Sequence, residues 1–250
     1  MRILEVTGDD YRRSFELFLA GTDEKAVINT WLSTLVDQLP SRTVFVDVGA
    51  GSGAITAHVG RSFERTIALE PSAHMRRELQ KACPGAVIIA EPVDQAELDI
   101  EADLALCSHV LYHLPEATWL PTVRRILGWV RQGAELLILL QNPENACMRM
   151  VRHFTGARFD LTELATELRE NAADLVGVCT IETLAACYRT TSLPDAVDVA
   201  EHLLNVSALA QQDPLPTRRA LQQYVLKEFA LPEGGFRIGQ AQDVLRIRRA

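Results

Sequence analysis

The chain has no apolar run near the ~18 residues that span a membrane; its longest, Leu136–Leu140, has the length of a buried strand. Paired cysteines are also missing. The five, Cys83, Cys107, Cys147, Cys179 and Cys187, are odd in number and form no C-x-x-C, which argues against a disulfide scaffold and fits reduced, buried thiols. Basic residues are scarce: 25 Lys and Arg against 33 Asp and Glu give a net charge of −8. A nucleic-acid surface needs clustered Lys and Arg, so no nucleic-acid partner is expected. The one basic cluster, Arg246, Arg248 and Arg249, alternates like the outer face of a strand and reads as a solvated edge. Met1–Asp10 carries acids early and has no apolar core of signal-peptide length. The expected location is therefore the cytoplasm, with no membrane partner; oligomeric state is not readable.

What is present is an ordinary globular mixture, 48% hydrophobic and 23% charged over 250 residues, enough for a sizeable core. Tyr11–Leu39 reads as two helices broken near Gly21, with Pro40 as a stop. The rhythm then changes to short β-rich runs alternating with helical patterns: Val44–Val48, Thr66–Leu69, Ala86–Ala90, Leu104–Cys107 and Glu135–Leu140. Such alternation means βαβ units, a mostly parallel sheet and right-handed crossovers. Leu161–Asn171 reads as a helix, Val178–Arg189 as one long strand and Gln242–Arg248 as the last strand. The helical stretches Asp198–Leu204 and Thr217–Phe229 between those two strands are too long an insertion for a plain loop and read as part of a lid. The expected division is a helical lid at 1–40, a Rossmann-like core at 41–194, a helical cap at 195–232 and the final core strand at 233–250.

Gly49-Ala50-Gly51-Ser52-Gly53 follows the first strand and opens a helix. Three glycines permit a tight turn and close approach of backbone N–H groups to a ligand. Glu70 ends the next strand, where a carboxylate can accept both hydroxyls of a nucleoside ribose. Together they specify an adenosine-type cofactor. With Ala54 the turn also fits G-x-G-x-x-A, so a nicotinamide dinucleotide stays open. Asp47, two residues before the first glycine, suits a cationic amino-acid tail better than a pyrophosphate.

Val44–Gly53 with Glu70 resembles the class I S-adenosylmethionine-dependent methyltransferases, most closely over Val44–Leu140. The resemblance implies a doubly wound seven-stranded α/β sheet whose last strand is antiparallel, with S-adenosylmethionine as cofactor and S-adenosylhomocysteine as product. It places Gly49, Gly51 and Gly53 against the methionine tail and ribose, Asp47 at the methionine ammonium and Glu70 at the ribose hydroxyls. Glu91 to Asp94 would flank the adenine, and the cofactor set extends to Pro71, Met75, Val93, Asp94 and Ser108. The segment Cys107–Pro115 would run beneath the reacting methyl. It lacks the Asn or Asp, two prolines and aromatic of nucleobase amino-methyltransferases.

His109 and His113 are four apart, but no third ligand has matching spacing, so no metal is expected. His109 is the candidate acceptor contact, Tyr112 lines a pocket or fills the core, and His113 reads first as structural. The layout is also similar to histamine N-methyltransferase and its relatives: Tyr11, Ser14-Phe15, Phe18-Leu19, Glu24, Glu70-Pro71-Ser72-Ala73, Val110-Leu111-Tyr112 and the late helical insertion. That likeness implies a small-molecule acceptor whose cation is held by Glu24, with Phe15, Phe18, Tyr112 and His109 lining the site and Tyr11 and His113 beside them. It departs at His109 and His113, where that family carries an amide and a tyrosine. The expected activity is methyl transfer to nitrogen of a small amine or amino-acid-like molecule, with His109 and Glu24 as catalytic candidates. Oxygen or carbon methylation with His109 as base, and a cofactor-binding regulator without turnover, remain alternatives.

Overall fold

The structure, a computed structural model, describes residues 1–4, 9–206 and 214–250. Contacts group these into two compact units. The larger comprises Ile28–Leu140, Asp160–Thr183 and Asp243–Ala250; the smaller comprises Met1–Val27, Gln141–Phe159 and Leu184–Gln242.

The larger unit is built on the sheet. Its strands are β1 (Val44–Val48), β2 (Arg65–Leu69), β3 (Val87–Ile89), β4 (Ala102–Ser108), β5 (Val130–Gln141) and β6 (Val176–Leu184). With the last strand β9 (Gln242–Arg249) they form one seven-stranded sheet, ordered β3-β2-β1-β4-β5-β9-β6. The first five pair in parallel and the last strand is antiparallel. Helices α2 (Glu24–Asp37), α3 (Ala54–Gly60), α4 (Ala73–Ala82), α5 (Trp119–Trp129) and α7 (Leu161–Asn171) accompany it. Central strands are apolar along their length because both faces are covered: Leu136–Leu140 is at most 1% exposed. The order reverses between β1 and β4, the place where open α/β sheets bind ligands beyond the strands' carboxyl ends.

The smaller unit is helical: α1 (Asp9–Gly21), α6 (Ala146–Thr155), α8 (Leu193–Val206) and α9 (Arg218–Glu228), with a two-stranded sheet of β7 (Cys187–Thr190) and β8 (Phe236–Gly239). Its own core gathers Phe18, Met150, Tyr188, Leu204, Leu221 and Val225. Asn145 caps α6 by accepting from Met148 N at 2.7 Å, and Gly156 closes it in a left-handed conformation.

Three expectations need correction. Val178–Arg189 is not one strand: it breaks at Ala185-Ala186, and Cys187–Thr190 pairs with Phe236–Gly239 in the separate sheet. The fifth strand starts at Val130, not Glu135, with an irregular register between Ala102 and Leu104. The arginines near the C-terminus are not a solvated edge. β9 lies between β5 and β6, and Arg246 grips buried Glu135 through two bonds of 2.6 and 2.7 Å, with Arg248 at 3.4 Å. All five cysteines are free thiols. The contact units also divide the chain differently from 1–40, 41–194, 195–232 and 233–250: most of α2 goes with the sheet, and α6 goes with the helices.

Arg246→Ala strands the Glu135 carboxylate, which is 5% exposed. A fully buried broken pair costs 3–5 kcal/mol. Arg246 is 39% exposed and Arg248 is at hand, so the expected loss is about 2 kcal/mol, read as a lowered midpoint in urea.

Candidate active site

The glycine turn sits where β1 ends and α3 begins. Gly49, Gly51 and Gly53 have φ of +73°, +56° and +85°, conformations that other residues rarely adopt. A Cβ added to Gly49 would run into Val110 Cγ2, whereas one on Gly51 meets nothing within 4 Å. The turn is thus clear at Gly51. Its amides are mostly engaged within the protein. Gly49 N and Ala50 N donate to Leu69 O at 2.8 and 3.0 Å, Gly51 N to Glu70 Oε2 at 2.8 Å, and Gly53 N to Ala50 O at 3.0 Å. The expectation that these N–H groups reach a ligand is therefore corrected: the turn offers clearance more than donors. That weighs against a pyrophosphate, which is held by donated N–H groups.

Glu70, 7% exposed, is fixed by two backbone donors, Gly51 N and Ser72 N, each at 2.8 Å. A carboxylate has about four acceptor positions, so both oxygens retain capacity for ribose hydroxyls. Asp47, 3% exposed on β1, accepts the Thr56 hydroxyl at 2.6 Å. Burial pushes its carboxyl up to about 6, reinforced by the Glu70 charge and opposed by Thr56. A cation arriving there would favour its ionised form. These features fit the adenosyl and amino-acid parts of S-adenosylmethionine.

The other cofactor candidates lie after β2, β3 and β4. Pro71 and Asp94 are exposed, Met75 and Ser108 half-buried, and Val93 buried. Ser108 ends β4, and His109 follows with φ +58°, the one non-glycine residue in this region among those described. Its N–H donates to Leu139 O at 2.9 Å, and its ring stacks on Tyr112 with centroids 5.8 Å apart. A histidine held in a strained conformation at a strand end points to function. His113 is exposed in the 3-10 turn Leu111–His113, which Trp119 Nε1 pins by donating to Leu111 O at 3.0 Å.

The helical unit carries the remaining candidates. Tyr11, Phe15 and Phe18 follow one another along α1, with centroid separations of 6.2 and 6.4 Å. Glu24 opens α2 and accepts from Gln141 Nε2 at 3.1 Å; Gln141 Oε1 in turn accepts from Asn145 Nδ2 at 2.6 Å. Burial pushes the Glu24 carboxyl up to about 7, against the pull of Gln141 and of the nearby Gln242 amide.

Sequence reasoning missed the residues around these. Gln240 and Gln242 are at most 2% exposed, yet Gln240 Nε2 and Gln242 Oε1 make no hydrogen bond among the described residues. Such orphans are rare in protein interiors and mark places for a polar guest. His202 was missed too. It is buried, bonds Ser14 Oγ at 3.1 Å, lies 4.8 Å from the Tyr11 ring, and is pushed down to about 4 by burial. No local pattern announces these residues, because only the tertiary pairing of distant segments gathers them. Among the described residues, no group of three or more His, Cys, Asp or Glu could hold a metal ion, and no helix is long and apolar enough to cross a membrane.

Residues 46–138, from β1 to β5, match the methyltransferase domain family. No curated protein matches the chain by sequence. Among solved structures, YcgJ of Bacillus subtilis is 11% identical with a TM-score of 0.61, covering 88% of this chain and 98% of its own. The N-methyltransferase NodS of Bradyrhizobium japonicum, solved with S-adenosylhomocysteine, is 15% identical with a TM-score of 0.56, covering 98% and 94%. A Thermotoga maritima protein described as a possible histamine N-methyltransferase is 14% identical with a TM-score of 0.55, covering 96% and 94%. These likenesses show the fold, and the family match adds the activity. The chain carries a methyltransferase domain over residues 46–138 and is an S-adenosylmethionine-dependent methyltransferase of the class I fold.

Proposed function

We propose that this enzyme methylates a nitrogen of a small, amine-bearing molecule. The observation that carries the reading is the half-buried Glu24, whose carboxyl is pushed up to about 7, beside Gln242, whose buried amide oxygen accepts no hydrogen bond among the described residues. A carboxylate there pairs with an ammonium, and the Gln242 amide oxygen offers the same guest an acceptor. NodS and the Thermotoga protein, both named for nitrogen methylation, support it by analogy of fold.

On the cofactor side, Glu70 takes the ribose hydroxyls, Asp47 the ammonium of the methionine tail, and the turn at Gly51 the space that the tail and ribose need. Pro71, Met75, Val93, Asp94 and Ser108 complete the cofactor contacts. The cofactor supplies an activated methyl carbon on a sulfonium; the protein supplies alignment and exclusion of water. An ammonium must lose its proton before it can attack. Glu24, with a carboxyl near 7, is tuned to bind the cation and take that proton at neutral pH. Tyr11, Phe15 and Phe18, in the same unit as Glu24, line the acceptor's surroundings, and aromatic faces tolerate the charge of a methylated product.

The sign of the pH effect follows. Glu24 ionises as pH rises through about 7, so kcat/KM for an amine should rise over that window. Glu24→Gln should lower the rate and remove the levelling-off above about 7, because kcat/KM would then track the neutral fraction of the amine and keep rising. Stability moves oppositely. A carboxyl raised from 4.5 to about 7 makes the fold lose stability as pH climbs between those values. Glu24→Gln should flatten that slope in urea titrations.

The left-handed backbone of His109 favours a second reading, oxygen or carbon methylation with His109 as base. His109→Ala separates the two. An amine can lose its proton elsewhere, so its turnover should fall less than about tenfold, whereas a phenol or carbon acid without its base should lose 100-fold or more. S-adenosylmethionine binding with no product across an amine, phenol and keto-acid panel would contradict both and support a regulator.

A further inference from the structure

Within the helical unit, α6 and α9 border a cleft of about 600 Å³. On α6, Arg149, Arg152 and His153 recur at helical spacing on its exposed side, while Cys147, Met150 and Val151 are buried. On α9, Tyr224 and Lys227 face the cleft, with Ala220 too small to fill it. The wall is aromatic: Tyr224 lies 4.9 Å from His153 and 5.4 Å from Phe154 between ring centroids, and His153 meets Phe154 edge-on. Tyr224 and Phe154 are half-buried, so part of this ring surface stays open.

Three cations line the cleft with one carboxylate, Glu228, in a chain of net charge −8. Their internal partners leave donors over. Arg149 bonds the Glu144 carbonyl through one nitrogen, Arg152 reaches Glu144 Oε1 at 3.3 Å through one, and Lys227 pairs with Glu228 at 2.9 Å. A guanidinium has five N–H groups in a planar fork that matches a carboxylate or phosphate. Like charges gathered on an exposed face repel one another; Glu144 and Glu228 offset part of that repulsion, and the unused donors beside the open ring wall leave a place for an anion.

We propose that this cleft is a second binding site, for a planar aromatic ring bearing an anionic group: the ring against Tyr224 and Phe154, the anion at Arg149 and Arg152, with Lys227 adding field. None of these residues belongs to the cofactor set or to the acceptor set around Glu24, and the ligand charge is opposite to that of the proposed amine.

The full-length protein, held in saturating S-adenosylhomocysteine so that adenine does not enter the cofactor site, is titrated by calorimetry with salicylate and with adenosine monophosphate. Benzyl alcohol and adenosine serve as neutral partners. The expected result is that one or both anions bind, and that their neutral partners bind at least about tenfold more weakly. Arg149→Ala/Arg152→Ala, at two exposed positions, should weaken the anion about tenfold or more with an unchanged thermal midpoint. Which anion binds distinguishes a carboxylate from a nucleotide phosphate. Saturation by neither anion up to ~10 mM, equal binding of the neutral partners, or binding that survives the double variant would each overturn the site.

Discussion

Gly51→Val is expected to weaken S-adenosylhomocysteine binding by ~1000-fold or more, equivalent to about 4 kcal/mol, in a protein that still folds. The reasoning starts from the backbone. Gly51 has φ +56°, and a Cβ built there meets no atom within 4 Å. The valine side chain would not collide with the protein; it would project into the space assigned to the cofactor. Its strain, roughly 1–2 kcal/mol for a left-handed residue with a Cβ, is small beside the core of the seven-stranded sheet. The same strain acts on the site, because Gly51 N holds Glu70 Oε2 at 2.8 Å and a shifted turn moves the ribose-binding carboxylate. Gly49→Val is the contrast: its Cβ meets Val110 and should lower stability as well as binding. Calorimetry with a thermal melt on both variants separates the effects. Gly51→Val binding within a few-fold of the parent protein would mean that the turn does not border the cofactor.

Glu70→Ala is the second large effect. The carboxylate receives Gly51 N and Ser72 N at 2.8 Å each, and the Glu70 carbonyl receives Arg76 Nη1 at 2.9 Å. Removing the side chain deletes the charge-assisted bonds to ribose and orphans two N–H groups that order the turn. Losing such bonds and leaving donors unpaired comes to about 3 kcal/mol, or more than 100-fold in affinity. Glu70→Gln keeps the volume but turns an amide NH2 toward a backbone N–H, so it should still lose about tenfold. A deoxyribose analogue makes the test specific: it should bind the parent protein weakly and lose little further in Glu70→Ala. An unchanged loss for both ligands would place the ribose elsewhere.

The parts of the molecule that were legible in the sequence are those governed by local rules. Val44–Val48, the turn and Glu70 are neighbours along the chain, so strand, glycine and acid can be read in one line. The alternating strands and helices up to Leu140 are likewise short-range patterns. The break at Ala185-Ala186 was not legible as a change of sheet, because β-forming residues stand on both sides of it and only the pairing of Cys187–Thr190 with Phe236–Gly239 divides the run. Arg246 looked like a surface residue, since nothing nearby in the chain shows that Glu135, 111 positions away, is its partner. At the site, Glu24 was anticipated from a family likeness, but Gln141 and Gln242 reach it from remote segments. The amide engagement of the turn was invisible for the same reason: its acceptors, Leu69 O and Glu70, belong to the next strand's end.

The most direct test of the cofactor assignment is a crystal structure of the chain with S-adenosylhomocysteine bound. The expected result is both ribose hydroxyls on the Glu70 carboxylate, the homocysteine ammonium at Asp47, and the ligand in van der Waals contact with Gly51. A ribose held by other residues, with Glu70 still bonded only to Gly51 and Ser72, would contradict it.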